Sequence, residues 1–306
     1  MMQSIENNIY DRSINGILLI NKPKGFTSNH ILQKAKRIVG AKKAGHTGSL
    51  DPLATGMLPV CLGKATKICS YLLDSEKTYS VEARLGQSTD TGDREGTVVK
   101  VSNSSSLSLG VVKNSLQKFI GESQQTPPMY SAVKHKGKRL YDLARRGEVV
   151  ERKSRKIKIR SIRLDNYSWP RLNFTVQCSK GTYIRTLVED IANDMGTHAH
   201  VWNLHRASVE PFRNDKMYDI EFIENVILNN QKKIYDFILD IDRVFKNIPV
   251  LTLYDNHLKS FMNGQQVEVV SGFFSGEVRV YASDHSFIGL GFATTDGFLA
   301  PKKIFV

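Results

Sequence analysis

The stretch Gly45-His46-Thr47-Gly48-Ser49-Leu50-Asp51-Pro52-Leu53-Ala54-Thr55-Gly56-Met57-Leu58 is the hinge of this chain. Three glycines and a proline in fourteen residues disfavour a helix or strand interior. The apolar runs on either side, Gly16–Ile20 and Leu58–Leu62, read as buried strands. The stretch is therefore a loop between strands, carrying hydroxyls, His46 and one carboxylate, Asp51. Glycine allows positive φ and close approach of the backbone to a ligand. A carboxylate held there is a candidate nucleophile or base, and a solvated acid at a tight turn is the plainer alternative.

Working outward, Asn21-Lys22-Pro23-Lys24-Gly25 is a turn, and Thr27 or Ser28 caps a helix. That helix turns Ile31, Leu32, Ala35, Ile38 and Val39 to one side and ends at Gly40. Ala65–Leu73 reads as a further helix. Lys77–Leu85 alternates with Tyr79, Val81, Ala83 and Leu85 on one face, as a half-buried strand does. Gly86–Gly96, with Asp90, Asp93 and Glu95, reads as a solvated hairpin loop. Strands follow at Val98–Val101, Lys156–Arg163, Leu172–Cys178 and His198–Val209. Helices fall at Leu109–Phe119, Lys138–Arg146, Tyr183–Met195, Ile220–Leu228 and Lys232–Phe245. Beyond a boundary near Ile248-Pro249, a short helix and several glycine-punctuated strands suggest a small β-barrel. The fold class is α+β: a mixed, mostly antiparallel sheet flanked by helices, followed by that small barrel. Residues 1–13 read as a flexible arm, 14–247 as the main domain and 248–306 as the C-terminal domain.

The net charge is +13. Most of the excess is local: from Lys134 to Arg163 thirteen Lys and Arg face three acids, a net of +10. Such a surface suits a polyanion. A solvated charged face is the plainer reading, and a membrane surface is a weaker one, since no bulky apolar helical face accompanies the run. The C-terminal part, with four basic and five acidic residues, is not the basic surface. No run approaches the roughly 20 apolar residues of a membrane span. Cys61, Cys69 and Cys178 form neither a metal motif nor an even disulfide set, which fits a reducing cytoplasm. No Gly-x-Gly-x-x-Gly or Walker loop is present, and His198-x-His200 lacks zinc-site spacing, so no cofactor and no metal are expected.

The glycine-rich loop resembles the catalytic motif of the TruB family of tRNA pseudouridine synthases. So do Asn21–Gly25, Lys77-Thr78-Tyr79, Arg84-Leu85-Gly86, Pro128–Ala132, Gly181–Leu187 and, near the end, Gly289-Leu290-Gly291 and Pro301, in the same order. The resemblance implies isomerisation of the uridine numbered 55 in the TΨC loop of tRNA, without guide RNA, metal or organic cofactor. It implies a monomer with no obligatory protein partner and a PUA-like C-terminal domain. Asp51 takes the nucleophile's position, by C1′ attack, a glycal route or addition to C6. Arg185 takes that of the arginine pairing with it, where a cation favours the ionised form; a helix-surface charge is the plainer reading. Tyr79 matches a base-packing tyrosine proposed to move a proton, against ordinary core packing. Tyr183 and Leu204 match uracil-pocket positions, and Lys22 a residue supporting the loop. His46 matches a histidine that fills the space of the flipped base, flipping being costly; it could instead shape the loop by a hydrogen bond. The basic segment, about 124–156, matches an insertion closing over RNA. Lys134, Lys136, Lys138, Arg139, Arg145 and Arg146 would meet phosphates there. A tRNA-folding activity through that surface is a rival or additional role.

Overall fold

The computed structural model describes residues 14–103, 106–269 and 275–306. The expected arm, 1–13, lies outside the described residues, as do 104, 105 and 270–274. The fold is a mixed ten-stranded sheet with helices and a five-stranded C-terminal sheet. The main path of the large sheet is Tyr218–Asp219, Gly16–Lys22, Thr55–Leu62, Ala199–Val209, Lys77–Leu85, Arg171–Cys178, Arg155–Ser168 and Gly121–Gln125. Ile238–Leu239 and Ala44–His46 join off that path. Pairing is antiparallel except where Gly16–Lys22 meets Tyr218–Asp219 and where Thr55–Leu62 meets Ala199–Val209.

The second parallel junction matters most for the site. Only His205↔Thr55 and Arg206↔Gly56 pair there, so the first half of Ala199–Val209 runs past the start of its neighbour. That gap is filled by the 89–97 loop: Arg94 N–H donates to Val201 O at 2.9 Å and Val201 N–H to Gly92 O at 2.9 Å. The junction itself needs Gly56, at φ +102°, because a Cβ there would lie 2.3 Å from Arg206 O. The close approach that glycine permits is thus to a neighbouring strand.

Sequence signals explain the flanking elements. Thr27 caps the helix Ser28–Val39 by accepting from His30 N–H at 3.1 Å, and Gly40 ends it in the left-handed region. Ile31, Leu32, Ala35 and Val39 are buried against Leu18, Ile20, Leu58 and Val60. On another part of the sheet, Tyr79, Val81, Ala83 and Leu85 pack under Ile184, Leu187, Val188 and Ile191 of the helix Ile184–Asp194, and Val112 and Leu116 of Leu109–Lys118 join them.

Two expectations fail. Lys232–Phe245 is not one helix. It forms 3-10 turns at Gln231–Phe237 and Ile241–Phe245 around the strand Ile238–Leu239, which pairs with Gly16–Lys22. The edge of that strand needs a partner, and Gly16 leaves room for Ile238 and Leu239 to close on it. The 86–96 segment does turn a hairpin, Gln87–Thr89 pairing antiparallel with Val98–Val101, but it is not solvated: Thr89 and Asp93 are buried.

The C-terminal strands run in the order Val250–Thr252, Gly276–Tyr281, Phe287–Ala293, Phe298–Ile304 and Val267–Glu268, forming the expected small β-unit as a half-barrel. Leu290 and Phe305 from this unit share a core with Ile17, Leu19 and Phe245.

Candidate active site

The Asp51 loop is built rigidly. Leu50, Leu53 and Ala54 are buried beside Tyr79 and Leu204. Ser28 Oγ accepts from Leu50 N–H at 2.7 Å, and Ala54 N–H closes a turn onto Asp51 O at 3.0 Å. Lys22, fully buried, donates its ammonium to Pro23 O at 2.8 Å and Phe26 O at 2.7 Å, with Pro52 O at 3.4 Å. It therefore ties the 22–26 turn to the residue after Asp51. Burial pushes its pKa down to about 8, against the pull of Asp51.

Apolar anchoring leaves the carboxylate as the loop's open end. The Asp51 side chain is 42% accessible, while that of Arg185 is 7% accessible, and Arg185 Nε lies 3.0 Å from Asp51 Oδ2. The other two guanidinium nitrogens are also engaged: Nη1 donates to Thr91 O at 2.8 Å and Nη2 to Tyr130 O at 2.7 Å. Asp93 Oδ2 stands 3.8 Å from Nη1. Arg185 is thus a buried cation shared by two carboxylates and held by two carbonyls. Protein crowds Asp51 on the other sides. Burial pushes its carboxyl above the ordinary 3.8, Arg185 opposes this most strongly, and Asp93 adds to the rise. The ion pair limits the upward displacement without abolishing it.

Tyr79 is buried on the same face, opposite Arg206 in register. Burial raises its pKa, Arg206 pulls it down, and Asp51 is close enough to act on it. Leu204 is buried beside it. Tyr183 is half-buried at the start of the Arg185 helix, and both its backbone groups are held by the Gln125 amide, at 2.7 and 3.1 Å. His46 lies half-buried in Ala44–His46, opposite Val60. Among the described residues its Nδ1 is buried without a hydrogen-bond partner, and burial lowers its pKa, which favours the neutral ring.

Lys134, Lys136, Lys138, Arg139, Arg145 and Arg146 are all exposed, on the hairpin Lys134–His135/Lys138–Arg139 and around the helix Leu140–Ala144. The Tyr130 carbonyl joins the start of this segment to Arg185. The far end of the basic run is partly neutralised: Lys156 pairs with Glu122, Arg160 with Glu76 and Arg163 with Asp165. A groove of about 520 Å³ on the C-terminal unit, lined by Leu251, Tyr254 and His257, includes none of these residues.

Residues 36–184 match the model for the TruB family pseudouridylate synthase N-terminal domain, 185–246 that for the tRNA pseudouridylate synthase B C-terminal domain, and 249–305 that for the pseudouridine synthase II TruB C-terminal region. The tRNA pseudouridine synthase B of Legionella pneumophila strain Corby is 43% identical over 293 residues, covering 95% of this chain and 96% of its own. That of Yersinia pestis strain Pestoides F is 42% identical over 303 residues, covering 96% and 93%. The chain belongs to the TruB family of pseudouridylate synthases. It is accordingly an isomerase. Two solved structures share its fold: a Cbf5–Nop10–Gar1 complex (24% identity, TM-score 0.72) and an H/ACA RNP bound to a substrate RNA containing 2′-deoxyuridine (22%, 0.72). Each match covers 99% of this chain and 87% of the other.

In this TruB-family site two groups escaped the sequence reading. Asp93 was assigned to a solvated loop, yet it is buried beside Arg185. Arg206 is 1% exposed, donating Nε to Met57 O at 2.7 Å and Nη2 to Gly48 O at 3.1 Å, so it clasps both ends of the loop. Its one sequence signal is a cation in the inward register of the strand Ala199–Val209, in line with Leu204.

Proposed function

We propose that this enzyme converts uridine to pseudouridine in the TΨC loop of tRNA, at position 55, acting alone and without guide RNA or cofactor. The reading is carried by the 3.0 Å ion pair between a rigidly looped Asp51 and a buried Arg185, in a chain whose TruB relatives are named tRNA pseudouridine synthases. The reaction breaks the N1–C1′ bond, turns the uracil and joins C5 to C1′; N1 gains a proton and C5 loses one. Asp51 is the covalent or assisting carboxylate, and attack at C1′, a glycal route and addition at C6 all use its ionised form. Arg185 holds it ionised and aimed. Tyr79, Tyr183 and Leu204 line the uracil, and His46 occupies the stack that the flipped base leaves. The exposed cations of the 134–146 hairpin and helix hold RNA phosphates.

The test is to incubate the purified protein with a tRNA transcript and map pseudouridine chemically. Product at position 55 is expected, and its absence from the TΨC loop sinks the reading. Asp51→Asn is expected to abolish turnover while leaving tRNA affinity within a few-fold. A tRNA-folding activity through the basic segment is a second role, supported by the exposure of those cations. An Asp51→Asn protein that no longer accelerates tRNA refolding would count against it.

A further inference from the structure

Arg206 is a buried cation that no carboxylate answers. It is 1% exposed and makes no ion pair among the described residues, and Asp51 and Asp93 are both turned to Arg185. Its Nε and Nη2 hold the carbonyls of Met57 and Gly48 on either side of Asp51. Lys22, Lys77 and His46 lie in its field, which disfavours the protonated form of each, so its surroundings are electropositive at rest. A buried charge without a counter-charge is costly, and carbonyl dipoles offset only part of that cost.

One further group meets this guanidinium. Tyr79 stands opposite Arg206 in register on the neighbouring strand, and both side chains are buried. The guanidinium donates to the phenol oxygen and favours its ionised form, against burial, Asp51 and Cys178. Arg185 cannot take this part, since its nitrogens are engaged by Asp51, Thr91 O and Tyr130 O. Nor can Lys22, whose ammonium is engaged by the carbonyls of Pro23 and Phe26.

The proposed reaction moves one proton from C5 to N1. A phenol does this without a co-reactant. Its O–H gives the proton that ends on N1 as the N1–C1′ electron pair returns to the ring. The phenolate then takes the C5 proton once C5 has joined C1′, and the C5–H electron pair restores the C5=C6 double bond. Tyr79 ends as it began. Between the two transfers it is an anion in a dry site, which a cation in hydrogen-bond reach stabilises. We propose that Arg206 is a positioning residue of the reaction: one guanidinium grips the Asp51 loop and the Tyr79 oxygen together, and its unanswered charge receives the transient phenolate. The inference rests on the roles proposed above for Asp51 and Tyr79.

The test follows single-turnover pseudouridine formation on tRNA transcripts carrying protium or deuterium at uridine C5. The full chain is compared with Arg206→Lys, with Tyr79→Phe and with the double variant. A further variant places citrulline at position 206. Citrulline keeps Nε–H and one NH2 for the Met57 and Gly48 carbonyls and loses only the charge, so the loop stays clasped where Arg206→Lys fails to fold. The citrulline variant is expected to turn over about 100-fold more slowly, the lower end of what proton transfer contributes. Its C5 isotope ratio should rise above that of the unsubstituted chain, because removal of the C5 proton becomes the slow step. Its tRNA affinity should hold within a few-fold. The double variant should be no slower than Tyr79→Phe alone, since Arg206 acts through that phenol. A purely structural clasp gives the opposite pattern: citrulline supports the unsubstituted rate and isotope ratio, and the two substitutions of the double variant are additive. Either result overturns the proposal, as does Tyr79→Phe turning over at the unsubstituted rate. Product formation by the unsubstituted chain is scored first, and its absence sinks the proposed function rather than the part played by Arg206 in it.

Discussion

In the proposed reaction Asp51 meets two demands that oppose each other. A nucleophile must be ionised, and a site that grips a base must exclude water, which disfavours ionisation. The structure sets Arg185 against burial and Asp93, and the balance leaves the carboxyl above 3.8. A consequence for pH follows directly. The proposed reaction uses the deprotonated form, so turnover should decline on acidification at a pH above that of an ordinary aspartate. The decline is read from single-turnover rates across acidic pH. Asp93→Asn removes the like charge and should move that decline to lower pH; a profile unmoved or moved upward contradicts the electrostatic account. Asp51 stood out as a candidate because glycines, proline and a lone acid are local signals, and its proposed role came from the family resemblance of that stretch. Asp93 and Arg206 did not, because their burial comes from strands and helices far away in sequence.

At the scale of elements, the helix Ile184–Asp194 carries more than Arg185. One turn on, Glu189 lies against the 89–97 loop, its Oε1 3.0 Å from where a Cβ on Gly92 would sit. Burial, with Asp190 adding like charge, raises its pKa from 4.5 to about 7. A carboxyl whose folded pKa is raised binds protons more readily when folded. Its contribution to stability is fully present below 4.5 and is lost as pH rises through about 7. Glu189→Gln should therefore gain melting temperature over the native protein at pH 8 but not at pH 4.5, as read by thermal unfolding at the two values. An equal gain at both would show that ionisation is not the cause. Gly92 belongs to the same contact: with φ at +73° and Arg185 Cβ 3.3 Å from the missing Cβ, Gly92→Ala strains both loop and helix. It should lower kcat by displacing the Thr91 carbonyl that holds Arg185. Helices and strands with clean periodicity, such as Ser28–Val39 and Lys77–Leu85, were legible from sequence. The 3-10 and strand segments between 231 and 245 were not, because the open edge of Gly16–Lys22, not local periodicity, decides them.

On the scale of the whole molecule, the basic segment and the half-barrel are joined to the catalytic sheet in different ways. The 134–146 cations stand exposed on a small hairpin and helix, linked to the site through the Tyr130 carbonyl. The half-barrel is docked by apolar contact. Phe305 and Phe287 stack at 5.5 Å, both pack on Phe245, and Phe305 and Leu290 share a core with Ile17, Leu19 and Met57. Lys67 and Lys303 add reciprocal bonds to Ile304 O and Lys67 O. A boundary near Ile248 marks a change of sheet, while the side chains on either side of it form one core. Composition shows the change and not the core, because residues from opposite ends of the chain build it. The two tryptophans, Trp169 and Trp202, both lie outside the half-barrel, so their fluorescence reports on the catalytic part alone. Phe305→Ala truncates a side chain that is 4% exposed and should cost about 3–5 kcal/mol. If the core couples the two parts, the tryptophan-detected unfolding transition shifts to lower denaturant although the substitution lies in the half-barrel. If the half-barrel unfolds independently, that transition stays where it was while far-UV circular dichroism alone records the loss.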